Sequence, residues 1–144
     1  MRNVTIAILL FTTAIAVPAM AQANHKSKNT MPLAISYAGN DFVGKSLVYE
    51  LKNELAKSSV LEYNPDNEIG PILEMSSVSN QPGENLSSAI SVVLLLKLKD
   101  QPYWYITHWT ISLGTSRTSE QAKELLVLVD GELDHLRKIT QSSN

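Results

Sequence analysis

Between Asp41 and Lys57 the apolar residues Phe42, Val43, Leu47, Val48, Leu51 and Leu55 recur at spacings of three and four, while Lys45, Lys52, Glu54 and Lys57 sit apart from them. That period predicts an amphipathic helix. Asp41 supplies an N-cap, and Ser58-Ser59 ends the pattern. A second helical pattern starts at Thr118 or Ser119, with Thr118 and Gln121 at capping-box spacing, and its apolar face is Ala122, Leu125, Leu126, Val129, Leu133 and Leu136. Gly131 weakens this helix by about 1 kcal/mol relative to alanine. Between the helices the period changes to two. Val60 to Tyr63, Ile72 to Ser79, Ser88 to Lys99 and Tyr103 to Leu113 read as strands, separated by turn signals at Asn64-Pro65-Asp66-Asn67, Gly70-Pro71, Asn80 to Asn85 and Asp100-Gln101-Pro102. Leu33 to Tyr37 suits a further short strand. The expected fold is an α+β two-layer sandwich: an antiparallel meander of about four strands with both helices packed on one face.

The last two strands form a hairpin whose register can be written down. If Lys99 and Pro102 close the turn, one face carries Leu98 opposite Tyr103, Leu96 opposite Tyr105, Val92 opposite Trp109 and Ile90 opposite Ile111. This face is apolar and belongs under the helices. The other face carries Lys97 opposite Trp104, Leu95 opposite Ile106, Val93 opposite His108 and Ser91 opposite Thr110. A solvent face should be polar, yet Val93, Leu95, Trp104 and Ile106 would form an apolar patch near the size that marks partner surfaces, and with Lys97 and His108 they make up the candidate partner surface. Burial of that patch under the first strand or the Leu33 to Tyr37 segment is the structural alternative. Lys97 over Trp104 reads as a cross-strand cation–π contact.

The N-terminus changes the picture of length and compartment. One basic residue (Arg2), an uncharged apolar run from Val4 to Val17, Pro18, and the small-x-small triplets Ala19-Met20-Ala21 and Ala21-Gln22-Ala23 have the layout of a bacterial secretory signal peptide. At about 14 residues the run is shorter than the roughly 20 a membrane-spanning helix needs. The expected organisation is a signal peptide over 1–21 (or cleavage after 23), a flexible polar lead over 22–38, one α+β domain over 39–139 and a disordered tail over 140–144. Cleavage after Ala21 leaves 123 of the 144 residues, and removing Arg2 from the twelve basic residues leaves eleven against fourteen acidic. Such a chain has no basic field for nucleic acid. With no cysteine it has no disulfide framework and no thiolate site, so packing alone must hold it in a periplasmic or secreted setting.

Candidate chemistry is sparse. Gly39-Asn40-Asp41-Phe42-Val43-Gly44-Lys45-Ser46 fits the phosphate-loop pattern G-x-x-x-x-G-K-[ST]. Asp41 and Phe42, however, read as a helix cap and the first core residue, the downstream strands read as antiparallel, and no ATP is expected. His25, His108 and His135 have no second ligand at i+2 or i+4, so no metal or other cofactor is expected. Asp130, Glu132 and Asp134 read as a solvated acidic flank. The run Gly44 to Leu55, the Ser58-Ser59 stop and Tyr105-Ile106-Thr107-His108 resemble small exported bacterial proteins with a helix, strand meander, helix layout. That resemblance implies a fold and a compartment, and no activity. The function expected is non-enzymatic: a binding or accessory protein of the bacterial envelope, with a protein partner or self-association at the hairpin face and no stable membrane anchor. A periplasmic inhibitor or immunity protein, with Asp66 to Glu68 or the Asn80 to Asn85 loop as its plug, is the alternative of the same class. A small hydrolase using His108 is the alternative of another class.

Overall fold

The computed structural model describes residues 30–81 and 86–142; the expected signal peptide and the first part of the expected polar lead lie outside the described residues. The elements run β1 (Met31–Ala38), α1 (Phe42–Lys57), β2 (Leu61–Tyr63), β3 (Gly70–Ser79), β4 (Ser87–Lys97), β5 (Tyr103–Gly114), a short 3-10 turn (Thr115–Arg117) and α2 (Thr118–Ser142). The strands form one sheet in the order β2-β1-β3-β4-β5.

The fold is α+β, but the sheet is mixed and has five strands where a four-stranded antiparallel meander was expected. Residues 31–38, counted on sequence within the flexible lead, form β1 between β2 and β3 and pair in parallel with both. The physical reason is the helix between β1 and β2. A parallel pair cannot be joined by a tight turn, and α1 is the crossover that returns the chain to the starting end. β3, β4 and β5 then follow as the antiparallel part. At the other end of the chain α2 continues to Ser142, past residue 139 where the domain was expected to end.

Both helices pack on one face of the sheet. Leu33 of β1, Leu73 and Met75 of β3, Ile90, Val92 and Leu94 of β4 and Leu113 of β5 meet Val43, Leu47, Leu51 and Leu55 of α1 and Ala122, Leu125, Val129 and Leu133 of α2 in one buried cluster. The helical periodicity therefore identified the buried face, except that Phe42, expected in the core, is half exposed.

The start of α1 is tied to three strands by one carboxylate. Asp41 caps the helix by accepting from the Gly44 N–H at 2.8 Å. Its oxygens also accept from the hydroxyls of Ser77 on β3 and Ser88 on β4, the latter at 2.5 Å, and more weakly from Tyr37 on β1 at 3.3 Å. The Tyr37 and Ser77 hydroxyls also meet at 2.6 Å, a contact in which either oxygen can donate. Partial burial pushes the Asp41 pKa up, but the hydrogen bonds from Ser77, Ser88 and the Gly44 backbone together outweigh it and hold the pKa at about 2. For Tyr37, burial outweighs the opposing hydrogen bond from Ser77, and the Asp41 charge adds to it, so its pKa is raised.

This network explains two glycines. A Cβ on Gly39 would stand 2.6 Å from both the Ser77 and Tyr37 hydroxyl oxygens, and one on Gly44 would collide with the same two groups. Gly131, by contrast, faces open space in the middle of α2.

Two predictions follow from this packing. Removing the carboxylate with Asp41→Ala should cost about 2–3 kcal/mol, since a cap is lost and two inward hydroxyls lose their acceptor. In the wild type the folded pKa of about 2 lies below the ordinary 3.8. The corresponding stability, about 2 kcal/mol, is therefore fully present above the ordinary value and lost as pH falls through the folded one. Urea melts across that acid window should show the loss in wild type and little of it in Asp41→Ala. In the second comparison Gly131→Ala should gain about 1 kcal/mol and raise the Tm by about 4 °C. Gly44→Ala should instead destabilise by about 1–3 kcal/mol through overpacking. Calorimetry on the two variants checks both signs.

Candidate functional site

The β4–β5 hairpin keeps the expected register over most of its length and loses it at one end. Ser87 to Leu94 pair with Gly114 to Thr107, so that Val92 faces Trp109, Val93 faces His108 and Ser91 faces Thr110. At Leu95 the partner jumps to Tyr105, leaving Ile106 as the extra residue of a β-bulge. Leu96 then faces Trp104 and Lys97 faces Tyr103. The turn is correspondingly longer, Leu98 to Pro102, with Asp100 in the left-handed region at φ 58°.

The bulge redistributes the expected patch. Val93, Leu95, Lys97 and His108 share the outer face of the sheet. Trp104 and Ile106 do not join them. Trp104 turns to the helix side opposite Leu96, and Ile106 packs against the core. Tyr103 and Tyr105 take their places on the outer face. The cation–π contact consequently forms between Lys97 and Tyr103, with the ammonium 5.5 Å from the ring centre, rather than on Trp104. Tyr105 and His108, three residues apart, lie on one face only because the bulge breaks the two-residue period, and the Tyr105 hydroxyl hydrogen-bonds the His108 Nδ1.

Reading across the sheet, Ala34, Ile72, Leu95 and Tyr105 form one outer row. The next row is Ser36, Glu74, Val93 and His108, and the one beyond is Ala38, Ser76, Ser91 and Thr110. The outer face is thus apolar and aromatic toward the hairpin tip and hydroxyl-rich toward the other end. β1 lies within the sheet beside β3, so it does not fold over this face. At the tip Tyr103, Trp104 and Tyr105 are 53%, 54% and 59% exposed. An apolar cleft of about 340 Å³ opens on the helix side of the same end, lined by Met31, Pro32, Ile69, Leu96, Leu133 and Leu136.

The other candidates gain structural explanations. In the phosphate-loop match, the helix N-terminus that would hold an anion is already occupied by the Asp41 carboxylate, and the two pattern glycines make room for Ser77 and Tyr37. Lys45 is exposed. His108 has Tyr105 rather than a carboxylate on its Nδ1, and Glu74 stands two strands away in the same row. Among the described residues no group of three or more histidine, aspartate or glutamate side chains is placed to hold a metal ion. Asp134 pairs with Lys138 at 2.7 Å on the surface of α2. Asp130 is instead half-buried, lining a cleft of about 290 Å³ with Glu54, Lys57 and Lys123.

What sequence reasoning missed at the tip are Tyr103 and Tyr105 as outer-face residues. Their signal was the run Tyr103-Trp104-Tyr105-Ile106, four large side chains in succession, which no two-residue alternation can place on one buried face. No protein-family model and no curated protein matches the chain.

With the anion position filled by Asp41, Mg-ATP or pyrophosphate should leave the melting temperature unchanged. A rise in Tm that Lys45→Ala abolishes would overturn this assignment.

Proposed function

We propose that the protein acts by binding rather than by catalysis, as an exported accessory factor of the bacterial envelope that contacts another protein chain through the tip and outer edge of the β4–β5 hairpin. The observation that carries this reading is the composition and placement of β5. It is an outermost strand of twelve residues, Tyr103–Gly114, with no Lys, Arg, Asp or Glu. Three consecutive aromatic side chains are each more than half exposed at its start. Aromatic residues with a polar tip carry much of the energy of protein interfaces because they bury large area at small entropic cost. The neighbouring apolar cleft adds surface of the same kind at the same end.

The compartment rests on the signal-like N-terminus. None of the described helices is long and apolar enough to cross a membrane. The Tyr105–His108 pair serves here as a polar contact within the apolar tip, with hydrogen-bonding capacity left at the histidine Nε2.

The test is site-specific photo-crosslinking in the native host, with a photoreactive residue at position 105 and a control at the exposed position 131 of α2. A discrete protein adduct from 105 and none from 131 is expected. It should disappear in the Tyr103→Ser/Trp104→Ser background while helix content and melting temperature stay unchanged. Absence of any adduct from 105, or equal adducts from both positions, would overturn the binding reading.

A further inference from the structure

The free edge of β5 is a different feature from its exposed side chains. In the sheet order β2-β1-β3-β4-β5 the two edges are unequal: β2 has three residues and β5 has twelve. A three-residue edge offers almost nothing to pair with. A long edge presents a row of backbone N–H and C=O groups, and proteins that keep such an edge single protect it with lysine, proline, inward-pointing charge, a β-bulge or an overlying segment. β5 carries no proline and no formally charged side chain, and among the described residues no strand lies beyond it. Its one irregularity, the bulge at Ile106, leaves Thr107 to Gly114 as a regular eight-residue stretch.

We propose that this edge pairs with the same edge of a second copy, antiparallel about a two-fold axis perpendicular to the sheet, to give a continuous ten-stranded sheet. The proposal rests on the reading of the hairpin as a protein-contact surface and names its partner. Charge argues for a second copy. An isologous contact brings each strand against itself, so any charge near the axis would meet its own image. β5 has none to repel. Parity is also satisfied. With the axis at Thr110, Trp109 faces Ile111 of the second copy on the helix side, while His108 faces Ser112 on the outer side.

The helix layer supports the same arrangement. A two-fold axis perpendicular to the sheet leaves the helices of both copies on one side, and α2 is the helix in contact with β5. Val127 of α2 turns toward α1, lining the cleft that also holds Glu54 and Lys57. One residue on, about 100° around the helix, Leu128 lies on the flank away from α1 and is 47% exposed. Trp109 and Ile111 on the helix side of β5 are half-buried within one copy. Edge pairing would cover these three side chains together. The stretch Asn24 to Asn29 just before the described residues contains no apolar side chain that could cover them instead.

The chain lacks cysteine, so a single introduced thiol reports on the axis without interference. Single substitutions His108→Cys, Thr110→Cys and Ser112→Cys on the outer side of β5 should give a disulfide-linked dimer under mild oxidation, strongest at the residue nearest the axis. Val78→Cys, exposed on β3, should not. Light scattering on the full mature chain should give twice the chain mass, and Thr110→Lys should return it to one chain mass with unchanged circular dichroism and Tm. A wild-type chain that stays monomeric across a wide concentration range would overturn the proposal. So would a dimer that Thr110→Lys leaves intact and none of the three thiols crosslinks. A monomer that still gives the protein adduct from position 105 would overturn self-pairing alone and leave the broader binding reading standing.

Discussion

The Asp41 carboxylate is the point on which the rest of the structure depends. A helix N-terminus needs acceptors for its first amides, and a sheet buried under helices needs partners for any hydroxyl it points inward. One side chain meets both needs. It accepts from the Gly44 amide, from Ser77 on β3 and from Ser88 on β4, with Tyr37 of β1 closing the ring through Ser77. Four elements distant in sequence are thereby fixed at one corner of the sheet. The network explains why two serines face the helix side, where leucine, valine and methionine otherwise fill the strands. It also sets how closely α1 approaches β1 and β3, which only glycine at 39 and 44 permits.

Fixing α1 there fixes the topology. β1 enters the middle of the sheet, α1 crosses above it, and β2 returns in parallel on the outer side as a short edge. The antiparallel strands must then grow outward from β3 on the other side, so β5 ends as the opposite edge. The chain next passes through the 3-10 turn Thr115–Arg117 into α2, which packs on the helix-side face of the sheet, and among the described residues no strand lies beyond β5. The place of β5 at the end of the strand order is a consequence of the connectivity, whereas its lack of charge is a choice of sequence.

Both helices and the buried positions of β3, β4 and the far half of β5 were legible, because each presents one apolar face at an unbroken period. Asp41 was recognisable as a cap, but its links to Ser77 and Ser88 depend on a tertiary approach that local spacing does not encode. β1 was legible in part: Leu33, Ile35 and Tyr37 alternate with Ala34, Ser36 and Ala38, a large-and-small alternation that hydropathy alone blurs. Its parallel pairing was implied by the strand, helix, strand order around α1, a stronger topological signal than the hairpins that follow. The hairpin pairing differs from the expected one by a single residue at the tip. A bulge costs only a local distortion, and it lets Ile106 reach the core where strict alternation would have left it outside. Trp104 moved with it, and the two tyrosines came out.

That exchange also separates what folding requires at the hairpin from what it does not. Burial of Ile106 lowers the free energy of the fold, and the bulge is the means. The same shift leaves Tyr103, Trp104 and Tyr105 more than half exposed, while the core is already closed by Leu94, Leu113, Leu125 and Leu133. Packing within one chain therefore gives no reason for three aromatic residues there, and solubility gives a reason against them. Lys97 over Tyr103 and His108 against Tyr105 orient two of the rings by contacts that leave much of their surface free. Rings held in place before contact lose less entropy when a partner arrives. On the proposed reading, this aromatic tip continuous with an uncharged strand edge receives another chain, a role that its placement outside the closed core leaves open to it.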